Sequence, residues 1–155
     1  MSDDGMQLFL ADESATLGFG RRLSAIVEPG LLIALRGDLG AGKTTLARGV
    51  LRGLGYDGRV KSPTYTLVEL YELSRLNLYH FDFYRFNDPR ELGDAGFREA
   101  FNGNAVCIVE WPERASDFLP VPDIDIGLKV ERGGRSVLLA AETEKGKLCL
   151  TRLPF

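Results

Sequence analysis

Lys43 and Thr44 close the run Gly37-Asp38-Leu39-Gly40-Ala41-Gly42-Lys43-Thr44, which has the spacing G-x-x-x-x-G-K-[ST]. The glycines let successive backbone N–H groups turn inward as a nest for an anion. A helix opening at Lys43 adds its unpaired N–H groups and the positive end of its dipole. In such a loop the lysine reaches the β- and γ-phosphates of a nucleotide and the following hydroxyl, here Thr44, ligates Mg²⁺. The pattern carries this meaning only between a strand and a helix. Leu31 to Leu35 before it reads as a buried strand, and Leu46, Val50, Leu51 and Leu54 after it fall on one helical face.

Two carboxylates further along could complete a phosphate-transfer site. Ala105 to Val109 is a continuous apolar run, the mark of a central parallel strand buried on both faces, and it ends in Glu110. An acid there lies at the edge where α/β proteins place their ligands, so Glu110 is the Walker-B-type candidate. The plainer alternative is a carboxylate capping the next turn. Asp82 ends a second strand, Leu78 to Tyr84, on the face of Leu78, His80 and Tyr84 and opposite Tyr79, Phe81 and Phe83. Its plainer alternative is a strand-end salt bridge to Arg85. His80, the lone histidine, reads as a satisfied, partly buried side chain rather than a base.

The elements that must hold these residues fit one domain spanning residues 1–155, long enough to bury a core. The net charge of −3 gives no support to bulk nucleic-acid binding. The acidic start has neither the basic nor the apolar part of a signal peptide, and no apolar run approaches a membrane span. Cys107 and Cys149 lack metal-ligand spacing and read as reduced structural thiols, so the expected location is the cytoplasm.

In chain order, Met6 to Leu10 reads as a strand. A helix capped by Asp12 or Ser14 follows, with Leu17, Leu23, Ile26 and Val27 on its apolar face. Pro29-Gly30 turns the chain into the glycine-loop strand, and Gly55 sits where a helix C′ glycine belongs. Arg48 and Arg52 share a helical face. With Arg59 and Lys61 they make either a solvated stripe or a docking patch for an acidic partner or RNA. Leu67 to Leu73 and Leu78 to Tyr84 form a hairpin. Asp88-Pro89 starts a helix to about Phe101, with an interruption near Gly93 and Gly96. Asp125 to Val130 and Ser136 to Ala141 form a second hairpin around Arg132 to Arg135, and Leu148 to Leu153 is expected as a last edge strand. The fold class is α/β: a P-loop NTPase-like three-layer sandwich with a largely parallel central sheet and added antiparallel strands and hairpins.

The order GDLGAGKTT, SPTYTLVE, HFDFYR, VEWPE resembles the TsaE (YjeE) family of bacterial P-loop ATPases over nearly the full chain. The resemblance implies an ATP-binding and ATP-hydrolysing subunit that works with TsaB and TsaD to install the threonylcarbamoyl group on adenosine in tRNA. In that family the transfer chemistry belongs to TsaD, and tRNA is reached through the complex. Carried over by matching motif, Gly40, Ala41, Gly42, Lys43, Thr44 and Thr45 bind the nucleotide, and Thr44 and Glu110 attend the metal. Asp82 matches an acid required for hydrolysis, and Thr64 lies in a switch-like loop around the γ-phosphate. Trp111 matches a tryptophan near the nucleotide, although a core aromatic would occupy that position equally well. Glu13 falls near the base and ribose.

These residues suit hydrolysis, which needs phosphates held, charge neutralised by Lys43 and Mg²⁺, and a water in line. Asp82 and Glu110 could orient that water and the metal's shell; their division of labour is not readable from sequence. Arg85 and Arg135 are the in-chain arginines available to a transition state, and a partner could supply one instead. The alternative reading is a small-molecule P-loop kinase, against which stands the lack of a lid-like insertion. The lack of an [NT]-K-x-D stretch speaks against a guanine-nucleotide switch.

Overall fold

The computed structural model describes residues 5–94 and 97–154, with backbone alone at 93 and 94. Its centre is a seven-stranded sheet of β1 (Met6–Leu10), β2 (Leu32–Arg36), β3 (Val68–Glu72), β4 (Asn77–Asp82), β5 (Ala105–Glu110), β6 (Ile124–Glu131) and β7 (Gly134–Ala141), in the order β1-β7-β6-β2-β5-β4-β3. The pairs β6–β2, β2–β5 and β5–β4 are parallel, and the outer pairs β1–β7, β7–β6 and β4–β3 are antiparallel. The expected α/β class, parallel centre and two hairpins are all present.

Every residue of β5 is buried, as its unbroken apolar run requires. Val106 and Ile108 face one core, while Cys107 and Val109 face the other. The first core lies beneath helices α1 (Glu13–Ser24) and α2 (Lys43–Gly53), with α5 (Glu144–Thr151) contributing Cys149 and Leu150. The second lies beneath α3 (Arg90–Asp94), α4 (Phe97–Ala100) and the short 3₁₀ turn Pro112–Ala115. Its centre is Phe81, whose ring lies 5.5 Å from Phe83, 5.8 Å from Phe97 and 5.6 Å from Phe101. Removing that ring would cost about 3–5 kcal/mol.

The two helices of the first layer meet backbone to backbone. A Cβ on Gly20 would lie 2.5 Å from the Leu46 carbonyl oxygen, and one on Gly49 would lie 2.5 Å from that of Leu17. Asp12 caps α1 by accepting from the Ala15 N–H at 2.8 Å. The helix closes at Ser24, so Ile26 and Val27 are buried by the turn that follows rather than by the helix itself. The Asp88 helix appears as α3 and α4; the interruption expected near Gly93 and Gly96 lies partly outside the described residues.

One element differs from expectation. Leu148 to Leu153 is not an edge strand: Thr143 accepts from the Gly146 N–H at 3.0 Å and starts α5. Alternation would have buried Leu148 with Leu150. Instead Leu148 is exposed while Cys149, Leu150 and Leu153 are buried, a helical face.

Candidate functional site

Above the carboxyl ends of β2, β5 and β4 lies a cleft of about 960 Å³, lined by the glycine loop, the start of α1, the Ser62–Tyr65 loop, Asp82, Glu110, Trp111 and Arg135. All of the residues expected at the site reach it: Glu13, Gly40, Ala41, Gly42, Lys43, Thr44, Thr45, Thr64, Asp82, Glu110 and Trp111 all line its wall.

The loop is built for an anion. Gly42, at φ +104°, is the N-cap of α2 and offers no side chain to the helix N-terminus, so the first N–H groups are left for a ligand. Gly37, at φ +145°, passes so near β6 that a Cβ would lie 2.5 Å from the Leu128 carbonyl oxygen. Arg135, at the start of β7, clamps the loop from outside: Nε donates to the Ala41 carbonyl at 2.8 Å and a terminal nitrogen to that of Gly40 at 3.1 Å.

Lys43 is buried, and its ammonium donates to the carbonyls of Gly37 and, at 3.2 Å, Asp38. Nζ also lies 4.0 Å from the centre of the Trp111 ring. Burial pulls this lysine below its ordinary pKa, against an opposing pull from Glu110 and Asp82. Trp111 itself takes a left-handed backbone, φ 57°, and packs 5.0 Å from Tyr84. It is both a cleft wall and a neighbour of the second core.

Asp82 and Glu110 are register partners at the ends of β4 and β5, both nearly fully buried. Thr44 donates its hydroxyl to Glu110 Oε2 at 3.0 Å. Asp82 Oδ2 accepts from Ser62 and, at 3.2 Å, from Thr64, while Oδ1 accepts from the Tyr84 N–H at 2.9 Å. The alternative of an Asp82–Arg85 salt bridge is absent among the described residues; Arg85 stacks over the exposed ring of Tyr65 at 4.7 Å. A hydroxyl and two carboxylates form a hard oxygen set, which suits Mg²⁺ because that ion takes one or two protein oxygens and completes its shell with water and phosphate.

Three residues take roles that sequence reasoning did not assign to them. Ser62 joins Thr64 on Asp82. Arg135 is a sequence candidate for the transition state, yet its guanidinium is taken up by the loop carbonyls of Gly40 and Ala41 and by the Gly134 carbonyl of its own strand. His80 is wholly buried, with Nε2 2.7 Å from Glu110 Oε2. Its position two residues before Asp82 on one strand face was the available signal. The basic run also divides: Arg48 lies 3.7 Å from Glu13, and Arg52 donates to the carbonyls of Tyr56 and Gly58. Arg59 and Lys61 are exposed.

A strand, glycine loop and helix under a cleft at the sheet's carboxyl edge define a P-loop-type α/β protein. Residues 10–151 match the family model described as "Threonylcarbamoyl adenosine biosynthesis protein TsaE". A Haemophilus influenzae protein named tRNA threonylcarbamoyladenosine biosynthesis protein TsaE is 42% identical over 149 residues, covering 93% of this chain and 94% of that one. A Bacillus subtilis protein of the same name is 41% identical over 114 residues, covering 74% of this chain and 71% of its own length. The crystal structure of Bacillus subtilis YdiB matches with a TM-score of 0.83 at 29% identity, over 96% of this chain and 93% of that one. The chain belongs to the TsaE family.

Proposed function

We propose that this chain is a single Mg²⁺-dependent ATPase domain that supports threonylcarbamoyl modification of adenosine in tRNA, acting in the cytoplasm with TsaB and TsaD and reaching tRNA through that complex. The role in modification rests on family membership and on what the relatives' names say of them. Among the described residues no helix is long and apolar enough to cross a membrane.

The observation that carries the ATPase reading is the hydrogen bond from Thr44 to Glu110. By donating its hydrogen bond to the carboxylate, the Thr44 hydroxyl turns its lone pairs toward a cation beside the phosphate nest. Thr44 and Glu110 would hold Mg²⁺, which would supply charge neutralisation for the phosphates. Gly40 to Thr45 cradle the phosphates, and Glu13 stands on the base and ribose side. Lys43 exchanges its loop carbonyls for phosphate oxygens. Asp82, tied to Ser62 and Thr64, orients the attacking water and couples it to the loop that senses the γ-phosphate.

An arginine on the transferring phosphoryl group is worth ~10³–10⁵ in rate. Arg135 is engaged by loop carbonyls and Arg85 by Tyr65, so the chain alone turns over slowly and its partners accelerate it. The test is steady-state phosphate release with and without TsaB and TsaD, beside tRNA nucleoside analysis of depleted cells. Fast turnover indifferent to the partners, with threonylcarbamoyladenosine levels unchanged, would refute the assignment.

A further inference from the structure

We propose that His80 is a positioning residue for the metal side of this site: it locks the Glu110 carboxylate in the orientation that holds the Thr44 hydroxyl. The inference rests on the ATP·Mg²⁺ reading above.

His80 is the chain's lone histidine and has no exposed surface. Burying a polar ring costs free energy unless its nitrogens are used. Here Nε2 lies 2.7 Å from Glu110 Oε2, while the buried Nδ1 has no partner among the described residues. Leu78 and Ile108 line the same face, and an apolar side chain at position 80 would fill the space without stranding a nitrogen. The ring is therefore explained by its bond to Glu110 and not by packing. Facing a carboxylate, which can only accept, Nε2 is the donor of this hydrogen bond.

The geometry of that donation matters. In the parallel register His80 sits beside Ile108, and Asp82 beside Glu110, so His80 reaches Glu110 diagonally from beneath the cleft. Thr44 approaches the same oxygen, Oε2, from the glycine-loop helix. Two donors from different elements converge on one atom, and the carboxylate cannot rotate without breaking both bonds. With His80 removed, Glu110 is fixed by Thr44 alone, and each then wanders with the other. Ordering Thr44 toward a cation becomes a cost of metal binding instead of a property of the folded chain. Partners behind a metal's ligands typically contribute 10–100-fold in metal affinity or activity.

The experiment is titration calorimetry of ATP into the full chain, with Mg²⁺ and separately with EDTA. His80→Leu removes the donor at similar volume. His80→Gln keeps an N–H near the position of Nε2, and His80→Asn keeps the amide but falls short of Glu110. In His80→Leu, affinity with Mg²⁺ is expected to fall ~10–100-fold while affinity in EDTA stays within about twofold. His80→Gln should recover most of the loss and His80→Asn little of it. Equal losses with and without Mg²⁺, no loss at all, or a His80→Gln no better than His80→Asn would overturn the inference. Should His80→Leu fail to fold by circular dichroism, the Gln and Asn pair carries the test by itself. Wild-type protein that binds no ATP would instead refute the ATPase reading beneath it; wild-type binding that depends on Mg²⁺ beside an unaffected His80→Leu refutes the role of His80 alone.

Discussion

The ammonium of Lys43 rests 4.0 Å above the centre of the Trp111 ring while donating to the carbonyls of Gly37 and Asp38. A cation over an indole face is held by the ring's quadrupole. In the proposed ATP complex the same cation would be taken up by the phosphates, so ligand binding would alter the electronic surroundings of the ring.

Trp111 is the chain's single tryptophan, which makes this contact directly readable. Adding ATP is expected to change Trp111 emission in a saturable way. Lys43→Ala should alter the starting emission and weaken ATP binding ~10–100-fold, the worth of a charge-assisted hydrogen bond in a buried site. Fluorescence titration measures both. Undiminished affinity in Lys43→Ala would remove the lysine from the phosphate site.

Asp82→Asn and Glu110→Gln keep side-chain shape and lose charge. Each should leave the fold in place and slow hydrolysis ~10²–10⁴-fold, the usual scale for a positioned acid or base. Asp82→Asn should keep most ATP binding, while Glu110→Gln should keep it in EDTA and lose at least as much Mg²⁺-dependent affinity as His80→Leu. Phosphate release assayed beside calorimetry separates the two effects. A variant with wild-type turnover would have its carboxylate reassigned to structure: strand-end anchoring for Asp82, turn capping for Glu110.

Arg135→Ala should act on the loop and not on the metal. Without the bonds to Gly40 and Ala41, the loop must be ordered as the nucleotide binds. ATP affinity is expected to drop about tenfold, equally with Mg²⁺ and with EDTA, because neither lost bond involves the metal's oxygens. An effect confined to Mg²⁺ would contradict the clamp.

Alkaline pH should unfold this protein for a specific reason. Burial pushes the Cys107 thiol from 9.0 up to about 12 and the Tyr71 phenol from 10.0 up to about 12. In the unfolded chain both ionise earlier, so there the unfolded state binds fewer protons than the native one and stability falls as pH rises. Their contribution is intact below pH 9 and is lost progressively toward pH 12, at up to ~1.4 kcal/mol per pH unit for Cys107. Urea denaturation between pH 8 and 11 should show the decline, and Cys107→Ala should flatten its first part.

Much of the site is legible in the chain because it is local. Lys43 and Thr44 announce themselves within eight contiguous residues, and Glu110 is marked by the apolar run it ends. Asp82 could be assigned to a strand face by alternation, but its tether to Ser62 and Thr64 depends on how a loop folds back, which alternation does not encode. His80 and Arg135 are harder for a different reason. His80 meets Glu110 from 30 residues away, through the register of two strands, and Arg135 meets Ala41 from 94 residues away. The C-terminal helix reads as a strand because Leu148 and Leu150 alternate with polar or small neighbours over a short stretch. The deciding signal was the Thr143 cap, a single hydroxyl.

The backbone contact of Gly20 with Gly49 makes the two walls of the cleft unequal in stiffness. Two main chains in van der Waals contact have no rotamers through which to yield, so α1, with Glu13 at its mouth, and α2, with Thr44 and Thr45, behave as one fixed jaw. The opposite wall hangs from Asp82 through the hydroxyls of Ser62 and Thr64, bonds that can be traded for water or phosphate one at a time. The adenosine end of a nucleotide would therefore meet a rigid template, and the γ-phosphate end a compliant one. Whether a third phosphate is present would be reported by the compliant side, on the outer surface where Tyr65 is exposed and a partner protein can feel it.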